Sequence, residues 1–75
     1  MDKEFEERYK VLGLNIQYYR KKKGLNQDAI AAMVNADVSH IGGIEQGRKA
    51  PSIDLIYKIA DALCVTESQL FERRD

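Results

Sequence analysis

QDAIAAMVNADVSHIGGIEQGR, Gln27 to Arg48, is the stretch that decides how this chain folds. Two short apolar segments flank Asn35-Ala36-Asp37. The first predicts a helix from about Gln27 to Val34, with Ile30, Ala31 and Val34 at helical spacing on one face. The second predicts a helix from about Val38 to Glu45, with Ile41 and Ile44 facing inward. Ala31 is small and lets two helices cross closely. Asn35 stands where the backbone must turn left-handed, which Asn tolerates better than most residues with a side chain. Asp37 is placed to cap the free amides of the second helix. Gly42-Gly43 breaks a local rule, since two glycines in so short a helix cost about 2 kcal/mol together. Such a breach at the centre of an element points to function or to tight packing.

Working outward, residues 3 to 23 read as one helical pattern, with Phe5, Tyr9, Leu12, Ile16 and Tyr19 on a single apolar stripe. Gly13 weakens its middle by about 1 kcal/mol. It reads as the divide between a leading extension, 1–11, and a firmer helix from about Leu12. Gly24 ends that helix as a left-handed cap behind Lys21 to Lys23, Leu25 folds back onto the core, and Asn26 caps the next helix. Downstream, Gly47 closes the third helix and Arg48-Lys49-Ala50-Pro51 forms a loop. Ser52 caps a fourth helix of about Ile53 to Leu63, whose stripe is Leu55 or Ile56, Ile59, Ala60 and Leu63. Thr66-Glu67-Ser68-Gln69 fits a capping box ahead of a short fifth helix containing Leu70 and Phe71. Cys64, between Leu63 and Val65, reads as core, and residues 72–75 are expected to fray. With no alternating run of strand length and no repeat, the expectation is an all-α single domain.

Seventy-five residues make one domain with a modest core. A single cysteine forms no internal disulfide and no multi-thiolate metal site, which fits a reducing compartment. No apolar run approaches the roughly 20 residues of a membrane span. The opening MDKEFEERYK lacks the apolar segment of a signal peptide, so a cytoplasmic protein is expected. Net charge is zero, yet residues 17 to 49 carry +3, against −1 for residues 1 to 16 and −2 for residues 50 to 75. Lys21 to Lys23 also suit the negative end of a helix dipole, which alone would explain them. Enzyme chemistry has no visible equipment. His40 is the sole histidine, Cys64 the sole thiol, the carboxylates are dispersed, and no glycine loop precedes a phosphate-binding lysine. No metal cluster, cofactor or small-molecule ligand is expected.

Two helices joined by three residues form a helix-turn-helix, the arrangement whose second helix enters the DNA major groove. The marks Ile16-x-x-Tyr19-Arg20, Gly24-Leu25-Asn26-Gln27, Ile30-Ala31, Ile41-x-x-Ile44-Glu45-x-Gly47-Arg48, Pro51-Ser52 and Ile59-Ala60-x-Ala62-Leu63-x-Val65 follow in order. Through them, the span from about Leu12 to Phe71 resembles the Cro/C1-type domain of phage repressors and xenobiotic-response-element-like bacterial regulators. The resemblance implies a compact five-helix bundle of the lambda-repressor-like type, with helices 2 and 3 as the helix-turn-helix. It implies binding of operator DNA, usually as a two-fold dimer. It makes Gln27, with Asn26 beside it, a clamp on phosphate, and it pairs Arg20 with Glu45 in a buried salt bridge.

The reading positions of the third helix are Asp37, Val38, Ser39, His40, Gly42 and Gly43. Relatives often carry Gln, Arg, Asn or Ser there, and this chain departs from that pattern. Val38 suits a thymine methyl, Ser39 is permissive, His40 suits a phosphate or a guanine edge, and Gly43 permits close approach to the duplex. Asp37 repels phosphate, and its value as a cap explains its presence. Direct readout therefore looks thin. Phosphate contacts from Asn26, Gln27, Ser39, His40, Arg48 and Lys49, with Lys22 and Lys23 as further candidates, should supply much of the affinity.

The expected function is a sequence-specific, double-stranded DNA-binding transcriptional regulator of repressor type. It would place its third helix in the groove and read a palindromic operator as a homodimer. The dimer surface is expected either on helices 4 and 5, through Leu63, Val65, Leu70 and Phe71, or on the leading segment, through Phe5 and Tyr9. The alternative is a protein-interaction module on the same fold (an antitoxin, an antirepressor or a partner-binding domain), which the thin readout and zero net charge favour.

Overall fold

The structure, a computed structural model, describes residues 2–74. Met1 and Asp75, the outermost residues of the expected leading extension and fraying tail, lie outside the described residues. A short 3-10 helix, Lys3–Phe5, leads into α1, Glu6–Lys22. Then follow α2, Gln27–Met33, α3, Val38–Glu45, α4, Ile53–Leu63, and α5, Glu67–Phe71. No strand occurs among the described residues.

Local chemistry sets most of these boundaries. Asn26 accepts the Ala29 amide at 2.8 Å, Ser52 the Leu55 amide at 3.1 Å, and Thr66 and Gln69 form the reciprocal capping box. Gly24 and Gly47, at φ 77° and 75°, end α1 and α3 in the left-handed region, and Asn35, at φ 56°, turns the chain after α2. Asp37 does occupy the cap position of α3, but its side chain makes no capping hydrogen bond. Cys64 departs from its sequence reading as core. It ends α4 at φ 58°, exposed, with the Lys23 ammonium 3.6 Å from its sulfur.

α1 is the spine of the bundle, packing on both α3 and α5. It runs unbroken through Gly13. This glycine is not a divide: a Cβ there would collide with the backbone carbonyls of Ile44 and Glu45. Gly13 is the point where α1 crosses the end of α3, and absence of a side chain is what lets the two backbones meet. Around this crossing the largest fully buried side chains are Ile16, Ile30, Ile41, Ile44, Ile59 and Leu70. A Cα radius of gyration of 11.2 Å matches the roughly 11 Å of a closed domain of this length.

The tail is better held than its composition predicts. Asn15, buried on α1, donates to the carbonyls of Leu70 at 2.8 Å and Glu72 at 2.7 Å. It also accepts from Arg74 Nε at 3.0 Å. The Arg74 guanidinium lies 3.7 Å over the Tyr18 ring. Residues 72–74 therefore lie against α1 instead of fraying.

Candidate nucleic-acid interface

Packing of Ile41 and Ile44 into the core fixes which side of α3 faces out. One helical turn apart, Val38 and Gly42 continue to Gln46, and Ser39 to Gly43, so these five share the outward side. Val38, Ser39 and Gln46 are exposed and Gly42 is half-buried. Gln46 is thus a member of this face that the sequence reading missed. Extending the Val38–Gly42 spacing by one more turn would have found it.

What holds α3 in place is a polar anchor beneath that face. Arg20 on α1 and Glu45 on α3 meet in a two-point ion pair, Nε to Oε2 at 2.6 Å and Nη2 to Oε1 at 3.0 Å. Their side chains are 8% and 1% exposed, which places the pair inside the protein and not on its surface. Arg20 Nη1 donates onward to the Leu25 carbonyl at 2.8 Å. Gln27 Nε2 donates to Glu45 Oε1 at 3.0 Å. No buried side-chain nitrogen or oxygen among the described residues is left without a partner, the condition under which a buried ion pair is tolerated. The network ties α1, α2 and α3 together at one point.

Gln27 therefore does two things at once. Its amide nitrogen faces Glu45, because an ionised carboxylate only accepts. That leaves its Oε1 towards Gly42, where an added Cβ would lie 3.6 Å away. Asn26 is exposed, with Oδ1 engaged as the helix cap. Arg48 and Lys49 are exposed just past the Gly47 turn, and Arg48 Nε donates to Gln46 Oε1 at 2.7 Å.

The other candidates are less open, or lie off the outward side of α3. His40 is half-buried and turned towards α4, lining an open cavity with Asp37, Ser52, Asp54 and Lys58. Gly43 is buried, because the Lys49 side chain lies across it. Asp37 is exposed at the head of the helix. Lys23 points to Cys64, and the Lys22 ammonium stands 5.7 Å over the Tyr18 ring on the outer side of α1.

The two surfaces expected to pair copies of the chain turn out to adjoin. Leu63 and Leu70 are spent on the core, at 4% and 0% exposure, and cannot serve a partner. Val65 is half-buried against the same core. Phe71 is 51% exposed, and with Phe5, Arg8, Tyr9 and Leu12 it lines one open cavity of about 340 Å³. No described helix is long and apolar enough to cross a membrane, and no group of three metal-ligating side chains gathers among the described residues.

The model of the helix-turn-helix family matches residues 16–70, which span α2, α3 and α4 with the C-terminal part of α1 and all but the last residue of α5. The chain is 35% identical over 60 residues to the HTH-type transcriptional regulator YazB of Bacillus subtilis, covering 80% of this chain and 87% of that one. It is 30% identical over 66 residues to the HTH-type transcriptional regulator y4dJ of Sinorhizobium fredii, covering 88% and 86%. Its fold superposes on the restriction-modification controller protein C.AhdI of Aeromonas hydrophila with a TM-score of 0.81, at 33% identity, over 84% of this chain and 96% of the other.

Proposed function

This chain belongs to the Cro/C1-type helix-turn-helix family of DNA-binding transcription regulators, and we propose that it acts within it as a sequence-specific regulator of repressor type. α3 enters the major groove of double-stranded DNA, and the protein works in the cytoplasm as a homodimer on a palindromic operator. The observation that carries this reading is the anchored, outward-facing α3. The Arg20–Glu45–Gln27 network holds the helix rigidly while its Val38, Ser39 and Gln46 side chains remain exposed. Preorganised presentation of one helix face is what groove recognition needs.

Phosphate contacts are assigned to Asn26, Ser39 and Arg48, with Gln27 at the edge of the same face and Lys49 beside them. His40 and Asp37 stand to the side, towards α4. For the dimer we assign the patch around Phe71, Phe5 and Tyr9, since Leu63 and Leu70 belong to the core. The likeness to a restriction-modification controller protein supports a regulatory task for a domain of this size.

Selection of bound duplexes from a random pool tests the proposal. A palindromic motif is expected, with half-sites about 34 Å apart. Affinity for the selected duplex should fall steeply with added salt, as counterions are released from contacted phosphates. The partner-binding alternative draws on the side-chain-poor middle of α3, Gly42 and Gly43. It takes precedence if no duplex is enriched and mobility on genomic fragments is unchanged.

A further inference from the structure

The glycines of α3 leave a bare strip in the middle of its outward side, and side chains from outside the helix fill its margins. After Gly43 the helix ends in a turn that reverses the chain. The Gly47 amide donates to the Ile44 carbonyl at 3.0 Å and the Arg48 amide to the Gly43 carbonyl at 2.9 Å. The Lys49 amide shares that same carbonyl at 3.2 Å. The reversal carries the Lys49 side chain back along the helix, over Gly43. A Cβ on Gly43 would stand 2.9 Å from Lys49 Cδ, 3.0 Å from Cγ and 3.3 Å from Cε. Glycine is therefore what admits the lysine stem. On the opposite margin, Gln27 lies beside Gly42 with its amide turned by Glu45. The one ion pair among the described residues is Arg20–Glu45, so no carboxylate engages the Lys49 ammonium.

We propose that Lys49, laid across Gly43, is a base-reading residue: its ammonium substitutes for the side chain that α3 lacks and donates to the N7 and O6 acceptors of a guanine in the major groove. This rests on the DNA-binding reading above and sharpens it. A lysine held by its stem against the reading helix differs from a loop lysine on a phosphate, because its reach is fixed relative to the base edges and not to the backbone. Guanine is the base that presents two adjacent acceptors there, the match for a cation with three donors. Gln27 closes the other side of the strip, with its oxygen beside Gly42.

The test is duplex selection from a random pool with the full chain, run in parallel on wild type, Lys49→Met and Gly43→Ala. Methionine keeps an unbranched apolar stem over Gly43 and removes the charge. Alanine within a helix improves helix propensity and pushes the lysine stem aside, so neither variant is expected to unfold. Wild type should show a guanine preference of about tenfold or more at one position of each half-site. In both variants that preference falls to near unity while the other positions keep theirs. Uniform weakening of Lys49→Met at every position, with a smaller salt dependence, makes Lys49 a phosphate contact and overturns the assignment alone. Failure of wild type to enrich any motif overturns this assignment and the DNA-binding reading together.

Discussion

The inner and outer sides of α3 are built on opposite principles. Inside, Ile41, Ile44 and Glu45 are sealed, and Glu45 is gripped by two residues from two other helices. Outside, the same eight-residue helix carries two glycines and few polar side chains. Positioning is therefore concentrated in α3 and its neighbours, and under the proposed function recognition chemistry would fall to flanking residues such as Gln27, Gln46 and Lys49. A short helix with two glycines would be marginal alone. It stands because the buried side supplies what propensity does not.

The sharpest way to break this contrast is at its anchor. Glu45→Ala strands the Arg20 guanidinium in the interior with only the Leu25 carbonyl, and should cost about 3–5 kcal/mol in chemical unfolding. A melting temperature equal to wild type would refute the anchor. Gly13→Ala should follow, at about 3 kcal/mol, because the carbonyls of Ile44 and Glu45 are backbone and cannot step aside. Asn15→Ala leaves the Leu70 and Glu72 carbonyls unpaired, and about 2 kcal/mol should be lost by the same measurement. Asn26→Ala removes the α2 cap for about 1 kcal/mol. Ser39→Ala, on the outer side, should move stability by less than about 0.5 kcal/mol and yet weaken DNA retention in a mobility-shift assay. Stability loss at Ser39 as large as at Glu45 would erase the distinction between the two sides.

Local rules were easy to read from residue order. The caps at Asn26, Ser52 and Thr66, the left-handed Asn35, and the helix ends at Gly24 and Gly47 all depend on neighbours a few positions away. Gly13 and Asn15 show where that legibility stops. Gly13 looks like a helix breaker until α3 is laid across it, and Asn15 looks like a polar interruption until the tail arrives. Gly42 and Gly43 announce themselves as anomalies, and the structure sets Gln27 beside the first and Lys49 over the second. Cys64 misleads for a related reason. Its apolar neighbours Leu63 and Val65 suggest core, whereas the left-handed turn at that residue swings the side chain outward. Leu63 and Leu70 carry no mark in the sequence that separates a core leucine from an interface one, so only their burial decides.

Asn15 also sets an order of assembly. Its two donated bonds reach across 55 and 57 positions of the chain, so closing them before α2, α3 and α4 have shortened the path would carry a larger loop-closure cost than any contact among those helices. The expected outcome is that the tail closes late and opens early, by a local opening with a lower free energy than global unfolding. Amide protons of α5 should then exchange with solvent ahead of those at Ile41 and Ile44. Residues 70–74 then act as a clasp on α1, and exchange at α5 ahead of α3 is the result that would show its release preceding the loosening of the bundle.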